Sequence, residues 1–175
     1  MKLIDHVSDE LIFSDNSTNI IDCLNNALNN NVNLNCTYFS CNRFLSSSFA
    51  LKTTGSLFES CIFYDFKSWN GDISASVFDT SIISNSEFRF SDLSYVVFKK
   101  TTLRSCDISN STLSASCFFD VVVYNSDFSG CYFGDGADIV NSVFIDCDFT
   151  DCDFTKIDIK DSVFLNCKGI KDTSI

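Results

Sequence analysis

The chain has no proline, only six glycines and a single histidine in 175 residues. All-β domains ordinarily mark their turns with Gly and Pro, so this one must turn by another device. Twelve Lys and Arg stand against twenty-three Asp and Glu, a formal charge of −11. That sign argues against direct binding of nucleic acid, which needs clustered bases to neutralise phosphates. No run approaches the roughly 18 apolar residues of a membrane span. The opening segment meets acid at Asp5, Asp9 and Glu10 before an export-type apolar core can form. There is no Gly-rich phosphate loop. With one histidine, a Ser–His or Cys–His nucleophilic pair can be built only through His6, in an N-terminus read as loose.

What is abundant is phenylalanine, at nineteen, and cysteine, at ten. A chain 45% hydrophobic and 20% charged is not typical of disorder, and its length is that of one domain with a real core. An apolar residue returns every five positions, from Phe58 and Phe63 through Ile73, Phe78, Ile83 and Phe88 to Phe133. It slips by one residue at Gly134–Asp138 and resumes from Ile139 to Phe164. Of these 22 slots only Ser68 is not apolar, and two residues before the slot Ser, Cys, Ala or Gly stands in 17 of 22. A five-residue period fits neither a helix at 3.6 nor a flat strand at 2. It requires a coil with one large and one small inward step in every five residues.

The pattern resembles the pentapeptide-repeat family, whose consensus is A-(D/N)-(L/F)-x-x. Cys147-Asp148-Phe149-Thr150-Asp151 and Cys152-Asp153-Phe154-Thr155-Lys156 match it directly. The match is firm over 56–167, with a looser extension back through Leu34, Phe39, Phe44 and Phe49. The resemblance implies an all-β fold, a right-handed quadrilateral parallel β-helix with twenty residues per coil. Residues 32–169 form this solenoid, 1–31 an N-terminal segment and 170–175 a tail. Asn19 with Asp22 imitates a capping box, and Ile20, Ile21, Leu24, Ala27 and Leu28 share one helical face. They predict a capping helix over 19–29 laid on the first coil. No such cap follows Phe164, so the exposed last coil predicts a homodimer through the C-terminal end, as in resembling bacterial proteins.

Between Arg104 and Lys156 there is no base, while nine Asp occur. On the twenty-residue coil of the family, Glu87, Asp107, Asp127 and, after the slip, Asp148 fall in one column on one face. Asp146, Asp151 and Asp153 flank it. Such a line of carboxylates is similar to a line of phosphates, although Asp before the apolar slot also serves local turns. These seven acids are the candidate partner-binding residues. No catalytic set, cofactor or metal is expected. Cys147 and Cys152 are explained by the repeat, and calcium-binding nonapeptides are absent. Cys131/Cys152 and Cys147/Cys167 are expected to stack on neighbouring coils as inert fillers. Trp69 in the broken unit marks either a contact point or a packing defect.

Ten Cys could be read as five disulfides of a secreted scaffold. Because most fall in the small slot, reduced thiols in a bacterial cytoplasm are the expectation; Asn16, Asn35 and Asn110 open sequons that matter only in a secretory lumen. The resemblance extends to the quinolone-resistance and gyrase-interacting branch of the family, acidic dimers proposed to mimic DNA, although its long loops are missing here. The leading expectation is therefore a non-enzymatic DNA mimic that meets the basic groove of DNA gyrase and modulates it or shields it from inhibitors, as in antibiotic resistance. The alternative is a protein–protein scaffold or adaptor, such as a secreted bacterial effector.

Overall fold

A computed structural model describes residues 1–170. The chain opens with a hairpin, β1 (Lys2–Asp5) and β2 (Leu11–Ser14), followed by α1 (Ile20–Asn29). Strands then come two to a coil: β3 (Thr37–Ser40) and β4 (Arg43–Leu45), β5 (Leu57–Glu59) and β6 (Ile62–Tyr64), β7 (Val77–Asp79) and β8 (Ile82–Ser84). β9 (Val97–Lys99) and β10 (Thr102–Arg104), β11 (Cys117–Phe119) and β12 (Val122–Tyr124) continue the series. It ends with β13 (Ala137–Val140) and β14 (Val143–Ile145), then β15 (Ile157–Lys160) and β16 (Val163–Leu165). Odd strands β3–β15 stack in parallel as side one and even strands β4–β16 as side two, a parallel β-solenoid of about six turns. Sides three and four are held by single bridges, Ser48 through Lys67 to Lys168 and Lys52 through Asp72 to Tyr132. Stacked partners such as Phe58 and Phe78 are twenty residues apart, so four five-residue sides close each regular coil.

The interior follows the two inward steps. Side one carries a column of stacked rings, Phe39–Phe58–Phe78–Phe98–Phe118, with centroids 4.6 to 5.2 Å apart. The small slot is more than a filler. Ser111 Oγ accepts the Ser91 N–H at 3.0 Å and donates to the Phe88 carbonyl at 2.7 Å, tying neighbouring coils together. Ser76 does the same with Ser56 N–H and the Thr53 carbonyl. Cysteines in this slot keep the second bond, as Cys61 Sγ to the Phe39 carbonyl at 3.2 Å and Cys131 Sγ to the Ile108 carbonyl at 3.1 Å.

The turning device is at the corners. Every fifth residue from Ser60 to Asn125 has a positive φ, and these include Thr80 (51°), Phe90 (53°) and Tyr95 (58°). L-residues pay about 1–2 kcal/mol for this left-handed conformation. The coil-to-coil hydrogen bonds and the packed interior hold them there, which is why so few glycines suffice. The one-residue slip is absorbed at Gly134 and Gly136, both at positive φ; a side chain on Gly134 would collide with Ser114.

Two irregular units are inversions of the pattern. Phe66 fills the core from the small position while Ser68 takes the large one, both buried, and Leu51 with Thr53 repeats the exchange. Ser68 Oγ then accepts the Leu51 N–H at 2.9 Å.

The N-terminal segment is a fuller cap than the sequence predicts. β1 pairs antiparallel with β3 and β2 with β1, extending side one beyond the first coil. His6 is not loose: its N–H bonds the Cys36 carbonyl, and Nε2 lies 2.6 Å from the Gly55 oxygen. Asn19 is the N-cap of α1, its Oδ1 accepting the Asp22 N–H at 2.9 Å. The buried face is Ile20, Cys23, Leu24 and Ala27, so it is rotated from the expected one; Leu28 is exposed.

At the other end, Phe154, Ile157, Ile159 and Phe164 are only partly buried, whereas Phe118 and Ile139 in earlier coils of side one are fully enclosed. β15 and β16 are the last strands of their sheets. Of the 170–175 tail, only Ile170 falls within the described residues.

Candidate functional site

Stacking places the predicted acids as a true column. Glu87, Asp107, Asp127 and Asp148 are bridged in succession on side three. Backbone bonds such as Asp107 N–H to the Ser86 carbonyl (2.9 Å) and Phe88 N–H to the Asp107 carbonyl (2.8 Å) fix their register. Asp146 and Asp151 sit at the two corners of that side, both at positive φ, and Asp153 follows two residues beyond Asp151. The column is thus assembled, with its flanking acids close to where the spacing puts them.

Its charge is not left uncompensated, and this corrects the expectation of a bare negative stripe. In the bridge series Lys67 stands just before Glu87 and Lys168 just after Asp148. Lys67 Nζ is 3.0 Å from Glu87 Oε1, Arg89 Nε is 3.4 Å from Asp107 Oδ2, and Lys168 Nζ is 3.4 Å from Asp148 Oδ2. All three bases lie outside the base-free window, 18 to 20 residues from their partners, and the coil brings them alongside. Along the column, four acids therefore face three bases.

The carboxylates are also engaged locally. Asp107 Oδ1 accepts both N–H and Oγ–H of Ser109 (3.0 and 2.6 Å), and Asp148 Oδ1 does the same with Thr150 (2.9 and 2.6 Å). Asp127 Oδ1 accepts the Ser129 N–H at 2.7 Å. One oxygen of each Asp thus closes a turn and the other faces outward. Lys67 and then Trp69, whose Nε1 donates to Glu87 Oε2 at 2.8 Å, hold the Glu87 carboxyl below its usual range. The Thr150 hydroxyl and N–H, aided by Lys168, do the same for Asp148. Trp69 in the broken unit is accordingly a half-exposed hydrogen-bond donor to Glu87.

Three flanking or column acids, Asp127, Asp146 and Asp151, form none of the ion pairs seen among the described residues. Asp146 accepts from Asn166 Nδ2 at 3.2 Å. The acids of the last coils form a broken collar, with Asp120, Asp138 and Asp161 on or beside side one, rather than a single line.

All ten thiols are free; Cys23, Cys61, Cys106, Cys131 and Cys147 are buried, four others are partly buried and Cys41 is exposed. Burial pushes Cys131 and Cys147 up to about 12 and Cys152 to about 11, the opposite of an activated nucleophile. Among the described residues no three His, Cys, Asp or Glu side chains converge to hold a metal ion. No described helix is long and apolar enough to cross a membrane. The feature that sequence reading missed is the contrast between sides: the outward positions of side two contain no acid at all. Tabulating the residues before and after every fourth apolar slot would have found it.

A search of the curated proteins finds no match to this sequence. Among solved structures the chain is similar to QnrB1, a plasmid-mediated fluoroquinolone resistance protein, at 14% identity and a TM-score of 0.45. That match covers 70% of this chain and 92% of that one. It is also similar to Rfr23 from the cyanobacterium Cyanothece 51142, at 10% identity and a TM-score of 0.32, covering 81% and 98%. A third is HetL, involved in heterocyst differentiation regulation in Nostoc sp. strain PCC 7120, at 6% identity and a TM-score of 0.27, covering 86% and 94%. The family model for pentapeptide repeats matches in eight copies over residues 81–120 and 116–164. With its five-residue period wound into four-sided coils, this chain belongs to the pentapeptide-repeat family.

Proposed function

We propose that the chain is a non-enzymatic scaffold, a stiff rod that works by presenting its sides to protein partners. The observation that carries this reading is the ion pairing of the acid column: with Glu87, Asp107 and Asp148 matched by Lys67, Arg89 and Lys168, side three offers no unbroken line of charge. Buried, high-pKa thiols and a His6 ring engaged with Gly55 support a role without chemistry of its own. Free thiols suit a reducing compartment, and we place the protein in the bacterial cytoplasm. The part-exposed Phe154, Ile159 and Phe164 of the last described coil suit a two-fold end-to-end dimer.

A second reading, the DNA mimic acting on a type II topoisomerase, is favoured by one observation. Residues 105–155 contain nine Asp and no base, and Asp127, Asp146 and Asp151 stay outside every ion pair described. The two readings separate in a gyrase supercoiling assay with and without a quinolone, run across a salt series. The scaffold reading expects no effect on supercoiling and no competition with DNA. Inhibition or protection that weakens sharply with salt, and is lost when Glu87, Asp107, Asp127 and Asp148 are all changed to Asn, overturns it in favour of the mimic. Asn retains the oxygen that closes each Asp turn, so this variant removes charge while keeping the coil.

A further inference from the structure

Side two is chemically unlike the rest of the molecule. Its seven three-residue strands carry fourteen outward positions, of which ten are aliphatic or Tyr, two are hydroxyl residues and two are Arg. None is acidic, in a chain of net charge −11. Leu45, Tyr64, Ile82, Tyr124, Val163 and Leu165 are each 40–49% exposed there. Parallel sheets are ordinarily covered on both faces; here the inner face is the Phe-rich core and the outer face is bare.

Arg104 stands on β10, the middle strand of the seven. It forms none of the ion pairs among the described residues. It lies in a shallow trough running from Tyr64 and Ile82 past Thr102 to Tyr124. Residues before and after the apolar slot form two rails along the rod, about 6.6 Å apart, because outward positions in a strand are two residues apart. The trough crosses the four central strands β6 to β12, and the whole outer face crosses seven, a length of about 29 Å at about 4.8 Å per strand.

These dimensions and charges select an occupant. A helix turn rises about 5.4 Å, close to the spacing of the rungs, so one ridge of side chains can step along the trough. An extended strand repeats on one face every 6.6–6.8 Å and falls out of step at once (about two residues of rise). About 20 residues of helix span the face, with the trough and Arg104 at its middle. A second copy is the wrong partner: it would bring more arginine and no carboxylate to Arg104, leaving a desolvated charge unpaired. We propose that the outer face of side two docks an amphipathic helix of about 20 residues from a protein partner, apolar along one stripe and bearing a carboxylate near its middle for Arg104. The proposal rests on the scaffold reading and specifies the partner's chemistry.

The test uses the full chain and a fluorescein-labelled, stapled 20-residue peptide with a Leu stripe and one central Glu, together with a twin carrying Lys there. Fluorescence anisotropy should show saturable binding of the Glu peptide and about tenfold weaker binding of the Lys twin. Arg104→Glu should reverse that preference, and Ile82→Asp should abolish both. Asp127→Asn, on side three, should change neither. Circular dichroism of each variant confirms the coil, and the charge reversal is a readout that misfolding cannot mimic. No saturation by the Glu peptide at about 1 mM, or an unchanged preference in Arg104→Glu, overturns the proposal. So does a sedimentation-detected dimer that Ile82→Asp dissolves, which would assign the face to a second copy. Failure here with gyrase unaffected leaves the scaffold reading standing on another side, whereas salt-sensitive gyrase inhibition removes the scaffold reading whatever the peptides do.

Discussion

Replacing Ser111 by Ala tests whether the small slot is a hydrogen-bond clamp or only a space-saver. Ser111 is buried and makes two inter-coil bonds, from the Ser91 N–H and to the Phe88 carbonyl. Were both groups left orphaned, the cost would be about 2–6 kcal/mol, from roughly 1–3 for each buried unpaired group. The fold offers a remedy, however. Ser91 N and Phe88 O stand three residues apart, as do pairs that bond directly elsewhere: Val96 N–H to Leu93 O at 3.2 Å, Ser116 N–H to Leu113 O at 3.1 Å and Cys131 N–H to Phe128 O at 3.0 Å. In the first two, the residue stacked above offers no bonding hydroxyl: it is Ser116, whose own Oγ is unpaired, and Ala137. After Ser111→Ala one local bond can therefore replace two, leaving a net loss of about 1 kcal/mol. Ser111→Cys should cost less still, since Cys61 and Cys131 keep the carbonyl bond. Urea denaturation followed by circular dichroism gives the stability, and hydrogen exchange at the Ser91 amide shows whether that N–H stays paired. A loss above about 3 kcal/mol with rapid exchange at Ser91 would refute the rebonding argument, and no loss at all would refute the clamp.

Phe98→Ala removes a ring stacked between Phe78 and Phe118 and should cost about 3–5 kcal/mol in the same denaturation assay, more than any surface change. Thr80→Asn keeps a polar corner residue but replaces a β-branched one at φ 51°, and should raise the urea midpoint by up to about 1 kcal/mol of stability. Lys67→Gln and Lys168→Gln unpair Glu87 and Asp148 at the rod surface, and each should lower the urea midpoint only slightly, with less effect at high salt. The pH dependence has a definite sign. Glu87 and Asp148 are held below their ordinary values in the folded state, so the unfolded chain binds more protons in mild acid. Their contribution is complete above the unfolded carboxyl range, about pH 4, and declines as pH falls through the folded values. In a pH series of urea midpoints, Lys67→Gln should flatten this decline, and an unchanged slope would rule out the pair as its source.

The coil was legible in the sequence because its interior is strict: a residue that must be large and one that must be small recur where nothing else fits. The corners were not legible. Their shared property is a positive φ, and residues as different as Asn85, Phe90, Tyr95 and Lys100 meet it because neighbouring coils impose it. The β1–β2 hairpin escaped notice because four-residue strands such as Lys2–Asp5 carry too short an alternation to stand out. The charge pattern misled for a related reason. A window along the chain sees 51 residues without a base, yet the neighbours that matter electrostatically are one coil away. Lys67 belongs with Glu87, Arg89 with Asp107 and Lys168 with Asp148, each separated by 18 to 20 residues and by 3.0 to 3.4 Å. In a solenoid, charge has to be counted down the columns, and columns of outward residues on sides two and three give opposite results. Side three pairs most of its acids internally and has little charge left to spend on a partner. Side two has almost no charge, and its central Arg104, exposed to solvent, forms no ion pair among the described residues. The first partner contact should therefore be sought on the side with the unmet pairing rather than on the side with the most carboxylates.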